Sequence, residues 1–544
     1  MSGPLSDLRS AVEEASVAVG AGNGDAPTAR PTLERSKKSG FGDYASNAAM
    51  LLSKAAGEPP RDVAGRVADE LRTRLGDALD RVEVAGPGFL NLFLTDAWYA
   101  RALGDVLSAG DAFGGGGADP PLRYNVEFVS ANPTGPMTAA GGRHAAYGDA
   151  VARLLEFRGH DVHREYYVND YGSQVRRLGE SIQARARGEE PPEGGYVGDY
   201  VLALAERIPN AAYDDVEVVS ERGVWLLLDD IGKSMQAIRV DFDTWFSERS
   251  LHEGDPAPVE HAFAELEQRG QTYRDEGALW LRTSAHGDDK DRVLERSSGE
   301  HTYFASDIAY HLDKLERGFD RLIDVWGSDH HGYVPRMKSM LAALGRDPAS
   351  LELMIMQFVN IIERGEKTQM SKRRGDFVTL DALVEQIGVD ATRFLMLQRS
   401  HDTTVDLDLG LAVSQSSQNP VYYVQYAHAR IASMLRKSAR GELQAAFADP
   451  AGAAYELEPA ERALIGKLLA FPDEVAEAEE RRAPHRIAAY ALDLAQVYTR
   501  FYDDCPVLKA PDDVRPFRLR LSAVAQRTIA RALQLLGVSA PQSM

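Results

Sequence analysis

YNVEFVSANPTGPMTAAGGRHAAYGDAVARLLEFRG, Tyr124 to Gly159, carries three kinds of pattern in succession. Tyr124 to Ser130 is a short apolar run that predicts a buried strand. Asn132, Pro133, Thr134, Gly135 and Pro136 then punctuate it as a Gly/Pro turn. From Ala145 the apolar residues recur at helical spacing as far as Gly159. Strand, Gly-containing turn, helix is the opening unit of a nucleotide-binding α/β fold, and its turn lies at the carboxyl end of the sheet, where ligands bind. Taken alone, the turn reads equally well as a plain strand-to-helix connection. HDVHREYYV, His160 to Val168, supplies a second strand at the distance of a parallel crossover.

On the N-terminal side, Gly114 to Pro121 (GGGGADPP) reads as a linker. Before it lie helical periodicity, a Gly/Asp loop at Phe41 to Asn47 and a strand-like end, VEVAGPGFLNLFL. On the C-terminal side, about 180–300 reads as a charged, mostly helical insertion, and alternation resumes at Arg321–Trp326, Leu353–Ile362 and Phe377–Leu380. Beyond about 405 amphipathic helices dominate. The expected layout is α/β at its centre: an N-terminal α+β domain over 1–113, a parallel-sheet domain over 119–405 with an insertion at about 185–295, and an all-α helical bundle over 406–544.

Bulk properties exclude several classes. Apolar residues make up 44% and charged residues 26% of the 544, the balance of a globular rather than a disordered chain. No apolar run reaches the roughly 18–20 residues that a membrane span needs. The N-terminus lacks a basic flank and an apolar core, so no signal peptide is expected. One cysteine, Cys505, excludes an intrachain disulfide and fits a reducing, cytoplasmic setting. A net charge of −21 argues against a generic nucleic-acid coat, while leaving room for a local basic track.

KTQMSKRRGDFVTL, Lys367 to Leu380, places Lys372, Arg373 and Arg374 on a Ser/Gly-containing loop. Mobile cations there suit a triphosphate, although three basic residues alone describe a solvated turn better. Met370, Ser371 and Lys372 resemble the KMSK signature of class I aminoacyl-tRNA synthetases, with Gln369 in place of the first lysine. The NPTGP turn, YYVND with Gln174, GALWLR, TYFASDIAYH, WGSDHHGYVPRMK and NPVYYVQYAHARI resemble the arginine branch of that class. GDYASNAAM and AGPGFLNLFL resemble the N-terminal domain of that branch, so the match is colinear along the chain.

The resemblance implies a Rossmann-like catalytic domain and a set of site residues. Catalysis falls to Lys372, Ser371 and Arg373. ATP falls to Pro133, Thr134, Gly135, Pro136, Thr138, Gly141, Arg143, His144, Met370 and Lys372. Arginine falls to Glu127, Ser130, Asn132, Tyr303, Asp307 and His330, a set whose carboxylates and amide suit the five donors of a guanidinium. His330 reads equally as a structural residue, and no Cys/His spacing supports zinc. For tRNA the resemblance implies Phe41, Asn47, Phe89 and Asn91 at the elbow, and Tyr422, Tyr423, Gln425, Tyr426, His428 and Arg430 at the anticodon. About half of the latter stripe is expected to face the bundle core.

One departure stands out. Aligned without a gap, the HIGH motif of the class becomes Thr138, Ala139, Ala140 and Gly141, and neither histidine is present. A helix N-terminus still favours an anion there, with Arg143, His144 or Thr138 as local compensation. The implied activity is ATP-dependent ligation of L-arginine to tRNA(Arg) through arginyl-adenylate, with Mg²⁺ entering on ATP and no tightly bound metal or organic cofactor. A monomer without a membrane partner is expected. The rival readings are a non-catalytic or weakly active tRNA-binding homologue, a ligase for another amino acid, and a generic nucleotidyltransferase.

Overall fold

The computed structural model describes residues 3–21, 30–36, 40–367, 378–438, 440–448 and 455–544. Met370, Ser371, Lys372, Arg373 and Phe377 lie outside the described residues. Strands β1 (Leu33–Arg35), β2 (Tyr44–Ser46), β3 (Leu79–Ala85) and β4 (Phe89–Leu94) form an antiparallel sheet in the order β1-β2-β4-β3. VEVAGPGFLNLFL is therefore a hairpin that turns at Gly86–Gly88. The expected Phe41–Asn47 loop is corrected: Tyr44–Ser46 within it is β2, and Asp43 ahead of it accepts from Tyr99 Oη at 2.8 Å and Leu94 N at 2.7 Å. Gly42 lies at φ +79°, and a β-carbon there would sit 2.7 Å from the Leu92 carbonyl oxygen, so only glycine fits.

In the centre, β5 (Arg123–Glu127), β6 (Asp161–Val168) and β7 (Thr244–Ser247) join two later strands, β11 (Arg321–Gly327) and β12 (Leu351–Met356), in a parallel sheet ordered β12-β11-β5-β6-β7. The chain builds outward from β5 on one side and returns to β11 on the other, which puts the topological switch point beside β5. The helix Ala139–Arg158 follows β5 and is capped by Thr138, whose Oγ1 accepts from Gly141 N at 3.2 Å.

Further expectations need correction. The described part of Phe377–Leu380 is an isolated bridge at Thr379 followed by the helix Leu380–Ile387. The stretch 180–300 contains the expected helices, Ser173–Ala186, Asp199–Arg207, Val216–Ala237 and Pro258–Gln268. It also contributes β7 to the parallel sheet, and β8 (Thr272–Asp275), β9 (Ala278–Leu281) and β10 (Arg292–Glu295) form an antiparallel sheet of their own. These strands are four residues each, too short for alternation to register against charged flanks. Leu353–Ile362 also breaks in two: β12 ends at Met356, and β13 (Val359–Glu363) joins β14 (Glu366–Lys367) and β15 (Val405–Asp408) in another sheet. The break is held by Arg143, whose NH1 donates to the Gln357 carbonyl at 2.7 Å.

From Pro420 onward the described chain is helical, with the longest helices at Pro420–Lys437, Pro484–Asp504 and Arg515–Leu535. The bundle packs on the Ala139–Arg158 helix, where Tyr147 Oη donates to the Arg482 carbonyl at 2.9 Å. It also packs on the N-terminal domain, where Arg462 pairs with Asp96 at 2.7 Å.

Candidate active site

The site begins with a row of acids. In the parallel register Glu127 pairs with Asp324 on β11 and with Glu165 on β6, so three carboxylates stand side by side on one sheet face. After Glu127 the backbone bends back through Val129 (φ +70°) and Ser130 (φ +37°), left-handed conformations that neither side chain favours. The bend delivers Ser130 Oγ to Glu127 Oε1 at 2.9 Å, while the same hydroxyl accepts from Tyr167 N at 3.1 Å. The strain is thus held by two hydrogen bonds at the carboxyl end of the central strand.

Beyond this bend opens a cleft of about 440 Å³. Glu127, Ser130, Asn132, Tyr303, Asp307 and His330 all line it, as do Gln174 and Tyr333. Asn132 Nδ2 donates to Gln174 Oε1 at 3.0 Å. Tyr303 and His330 are largely exposed at the mouth. Asp307 sits deeper and accepts from Tyr333 Oη at 3.1 Å. Burial, reinforced by the charges of Glu127 and Asp324, pushes its carboxyl up to about 6, against the opposing pull of His311 and Tyr333.

Sequence reading missed Glu248. It follows β7, is 3% exposed, and its Oε2 has no hydrogen-bond partner among the described residues. Burial and then the charge of Asp307 push its carboxyl up to about 7. It lies behind the cleft wall, against Ser306 and Tyr167. Among the described residues neither acid has a lysine or arginine partner, and together they favour a positively charged group. Recognising TWFS as a strand of the parallel sheet would have pointed to Glu248 at its carboxyl end.

At the helix N-terminus, Thr138 forms a bridge with Thr379. Ala139 N donates to the Val378 carbonyl at 3.1 Å, and Leu380 N to the Met137 carbonyl at 2.8 Å. The segment 368–377 is therefore bounded by β14 and by residues bonded to the HIGH-equivalent position. Pro136, Thr134, Gly135 and Thr138 line a separate crevice with Tyr196 and Tyr200, where Tyr200 Oη donates to the Thr134 carbonyl at 2.7 Å. Pro133 is buried in the same turn.

Arg143 is corrected as a compensating group. Arg143 is 0% exposed, and its NH2 donates to the carbonyls of Ser400 and Thr403, each at 2.8 Å. Its charge is thus spent inside the protein. His144 faces the cleft, but burial and then Arg143 lower its pKa to about 4, so it is neutral near pH 7. Gly141 N at the helix start is already engaged by Thr138 Oγ1, and the thioether of Met137 fills the space beside Gly141.

The RNA candidates divide. Tyr422 stacks on Tyr426 with centroids 6.0 Å apart, Tyr426 is 46% exposed, and Arg430 lies over the Tyr502 ring at 4.0 Å. Tyr426 and Arg430 line an open pocket with Arg436 and Lys437. Tyr423 is half-buried and bonded to Thr499 at 3.2 Å. Gln425 and His428 are corrected: both are buried and hold the C-terminal tail, Gln425 through Ser539 and His428 through the Pro541 carbonyl. In the N-terminal domain Phe41 and Phe89 are exposed, and Asn47 accepts from Thr32 N at 2.8 Å. Asn91 is 5% exposed at the centre of the sheet, flanked by Ala45 and Glu83 on the face opposite the core-facing Leu90 and Leu92.

Residues 123–432 match the model described as tRNA synthetases class I (R), catalytic domain. Residues 6–94 match the arginyl tRNA synthetase N terminal domain, and 424–544 match the DALR anticodon binding domain. The chain belongs to the arginyl-tRNA synthetase family. It is 43% identical to the arginine–tRNA ligase of Geobacillus thermodenitrificans, over 94% of each chain. It is also 43% identical to that of Nitratidesulfovibrio vulgaris, over 95% of this chain and 96% of the relative. Among solved structures, Thermus thermophilus arginyl-tRNA synthetase superposes with a TM-score of 0.78 at 26% identity, covering 99% of this chain and all of the other. Methionyl-tRNA synthetase of Mycobacterium tuberculosis, with a TM-score of 0.54 at 15% identity over 76% of this chain and 91% of its own, shares the fold.

Proposed function

We propose that this chain ligates L-arginine to tRNA(Arg) at the expense of ATP. The observation that carries the reading is the pair of acids, Asp307 and Glu248, which have no lysine or arginine partner among the described residues and stand at a cleft whose wall includes His144 of the Ala139–Arg158 helix. A guanidinium answers the acids, and phosphates suit the helix end. Mg²⁺ arrives bound to the ATP substrate. Arginine's carboxylate oxygen attacks the α-phosphate, the bond to the bridging oxygen breaks, and pyrophosphate leaves. The terminal ribose hydroxyl of tRNA then attacks the mixed anhydride carbonyl, loses its proton and releases AMP. Positioning and charge do most of this work. Lys372, with Ser371 and Arg373, is assigned to the leaving pyrophosphate.

In the same reading residues 1–113 contact the tRNA elbow through Phe41 and Phe89, and residues 406–544 receive anticodon bases on Tyr422, Tyr426 and Arg430. The chain works as a monomer in the cytoplasm. No described helix is long and apolar enough to cross a membrane.

A slow or silent homologue is the second reading, favoured by Met137 standing against Gly141 where the class has a histidine. Arginine-dependent exchange of pyrophosphate into ATP, with and without tRNA, separates the two. Exchange specific to arginine supports the ligase; tRNA binding without any exchange supports the homologue.

A further inference from the structure

Asp324, Glu127 and Glu165 form one rung across three adjacent strands. Strands lie ~4.8 Å apart, so without counter-charge this row would repel itself. The overlying helix Tyr303–Glu316 answers it. Lys314 Nζ donates to Glu127 Oε2 at 2.6 Å and to Asp324 Oδ1 at 3.0 Å. Just beyond the helix, Arg317 grips both oxygens of Glu165 at 2.6 and 2.8 Å. His311 lies 2.8 Å from Asp324 Oδ2 on one ring nitrogen and 2.7 Å from the Asp307 carbonyl on the other.

The Lys314 side chain is fully enclosed, with its ammonium 4.2 Å from the centre of the Tyr310 ring. It reaches neither solvent nor the cleft. Burial alone would lower its pKa, yet Asp324 and Glu127 hold it above the usual lysine value. Those partners also hold it in place: Asp324 is buried behind the site, whereas Glu127 lines the cleft. Lys314 further shares a helix with Asp307, two turns away. One ammonium therefore ties together β5, β11 and the helix that carries the deeper acid.

We propose that Lys314 is a positioning residue for the amino-acid pocket, fixing the cleft-facing carboxylate of Glu127 and the Asp307 helix in a single geometry. The proposal rests on the arginine reading above and adds a division of labour. Glu127 is already answered by Lys314, so it orients the substrate through Oε1 and Ser130. The unanswered charge that selects a cation lies at Asp307 and Glu248. A buried ammonium suits this task because it cannot be displaced by solvent, and removing it leaves Glu127 without its cation and Asp324 with His311 alone.

The test is steady-state charging of tRNA by the full chain, comparing the KM for arginine with the KM for ATP. Lys314→Met keeps the length of the side chain without its charge. Because it removes the shared cation from two buried acids, the charge-balanced Lys314→Met/Asp324→Asn is made alongside it. Loss of a charged hydrogen bond predicts an arginine KM raised about 10- to 100-fold in the folded variants. The ATP KM should stay within about twofold, since uniform damage to the fold would move both constants. An arginine KM within about twofold of the parent in either folded variant overturns the proposal, as does a parallel rise in both constants. Aggregation of both variants also overturns it, marking Lys314 as a folding residue. A parent chain that neither charges nor binds arginine refutes the earlier reading of the pocket instead.

Discussion

The thioether of Met137 occupies the space that a β-carbon on Gly141 would need. The second position of the missing histidine pair is therefore filled from its own turn. Restoring Thr138→His and Gly141→His together is expected to lower the melting temperature without raising the activation rate. The first change removes a helix cap worth ~1 kcal/mol. The second forces Met137 aside. Adding Met137→Ala makes room, and pre-steady-state adenylate formation should then rise by about 10²-fold if a preorganised donor is regained. A gain in the double variant without the Met137 change would show that the turn repacks freely.

Asp307→Asn removes one of the two unanswered acids. Loss of a buried partner of a charged ligand predicts a rise in the arginine KM of about two to three orders of magnitude. Glu248→Gln, one layer behind, should cost less, about tenfold, because it acts mainly through the local potential. Charging kinetics across an arginine series for both variants check the order of the two effects.

The acids also set a pH dependence. Asp307 near 6 and Glu248 near 7 are raised by burial, so the empty pocket holds protons at low pH that an incoming guanidinium must expel. Arginine affinity should therefore strengthen as pH rises from about 5.5 to 7.5 and then level off. The stability contribution has the opposite sign. Raised carboxyl pKa values favour the folded empty protein below their titration and lose that advantage above it. The melting shift caused by saturating arginine should accordingly be larger at pH 8 than at pH 6, as scanning fluorimetry can measure.

Arg143→Met tests the correction at the helix start. With four carbonyl partners lost from a buried site, the variant should lose ~3 kcal/mol or more of stability while its ATP KM stays near the parent value. A selective rise in the ATP KM would return Arg143 to the phosphates.

On the bundle, Tyr426→Ala and Arg430→Ala should weaken tRNA binding about 5- to 10-fold, in keeping with one lost base stack. Gln425→Ala and His428→Ala should act on stability instead, because both side chains hold the C-terminal tail. Filter binding beside thermal unfolding separates the pairs.

Much of this arrangement is legible along the chain where local pattern and tertiary role agree. Tyr124 to Gly159 reads as strand, turn and helix because its apolar period changes with its structure. Glu127, Asp307 and Tyr303 sit in recognisable strings and meet in one cleft. Glu248 does not announce itself, since β7 is short and its significance depends on joining a sheet whose nearest strand is far away in sequence. Lys314 reads as an ordinary helix lysine until the register of β5 and β11 places two acids beneath it. Arg143 reads as local compensation at the helix start, and its burial follows from a strand break more than 200 residues later, which no local pattern encodes.

The central claim, that this chain is an arginine ligase despite Thr138 to Gly141, is tested most directly by charging tRNA with radiolabelled arginine, ATP and Mg²⁺, beside Lys372→Ala. The account predicts arginine-specific charging by the parent chain, reduced by about 10² to 10³ in the variant, the usual effect of removing a charge-stabilising donor. A folded parent chain that binds tRNA yet transfers no arginine would contradict it.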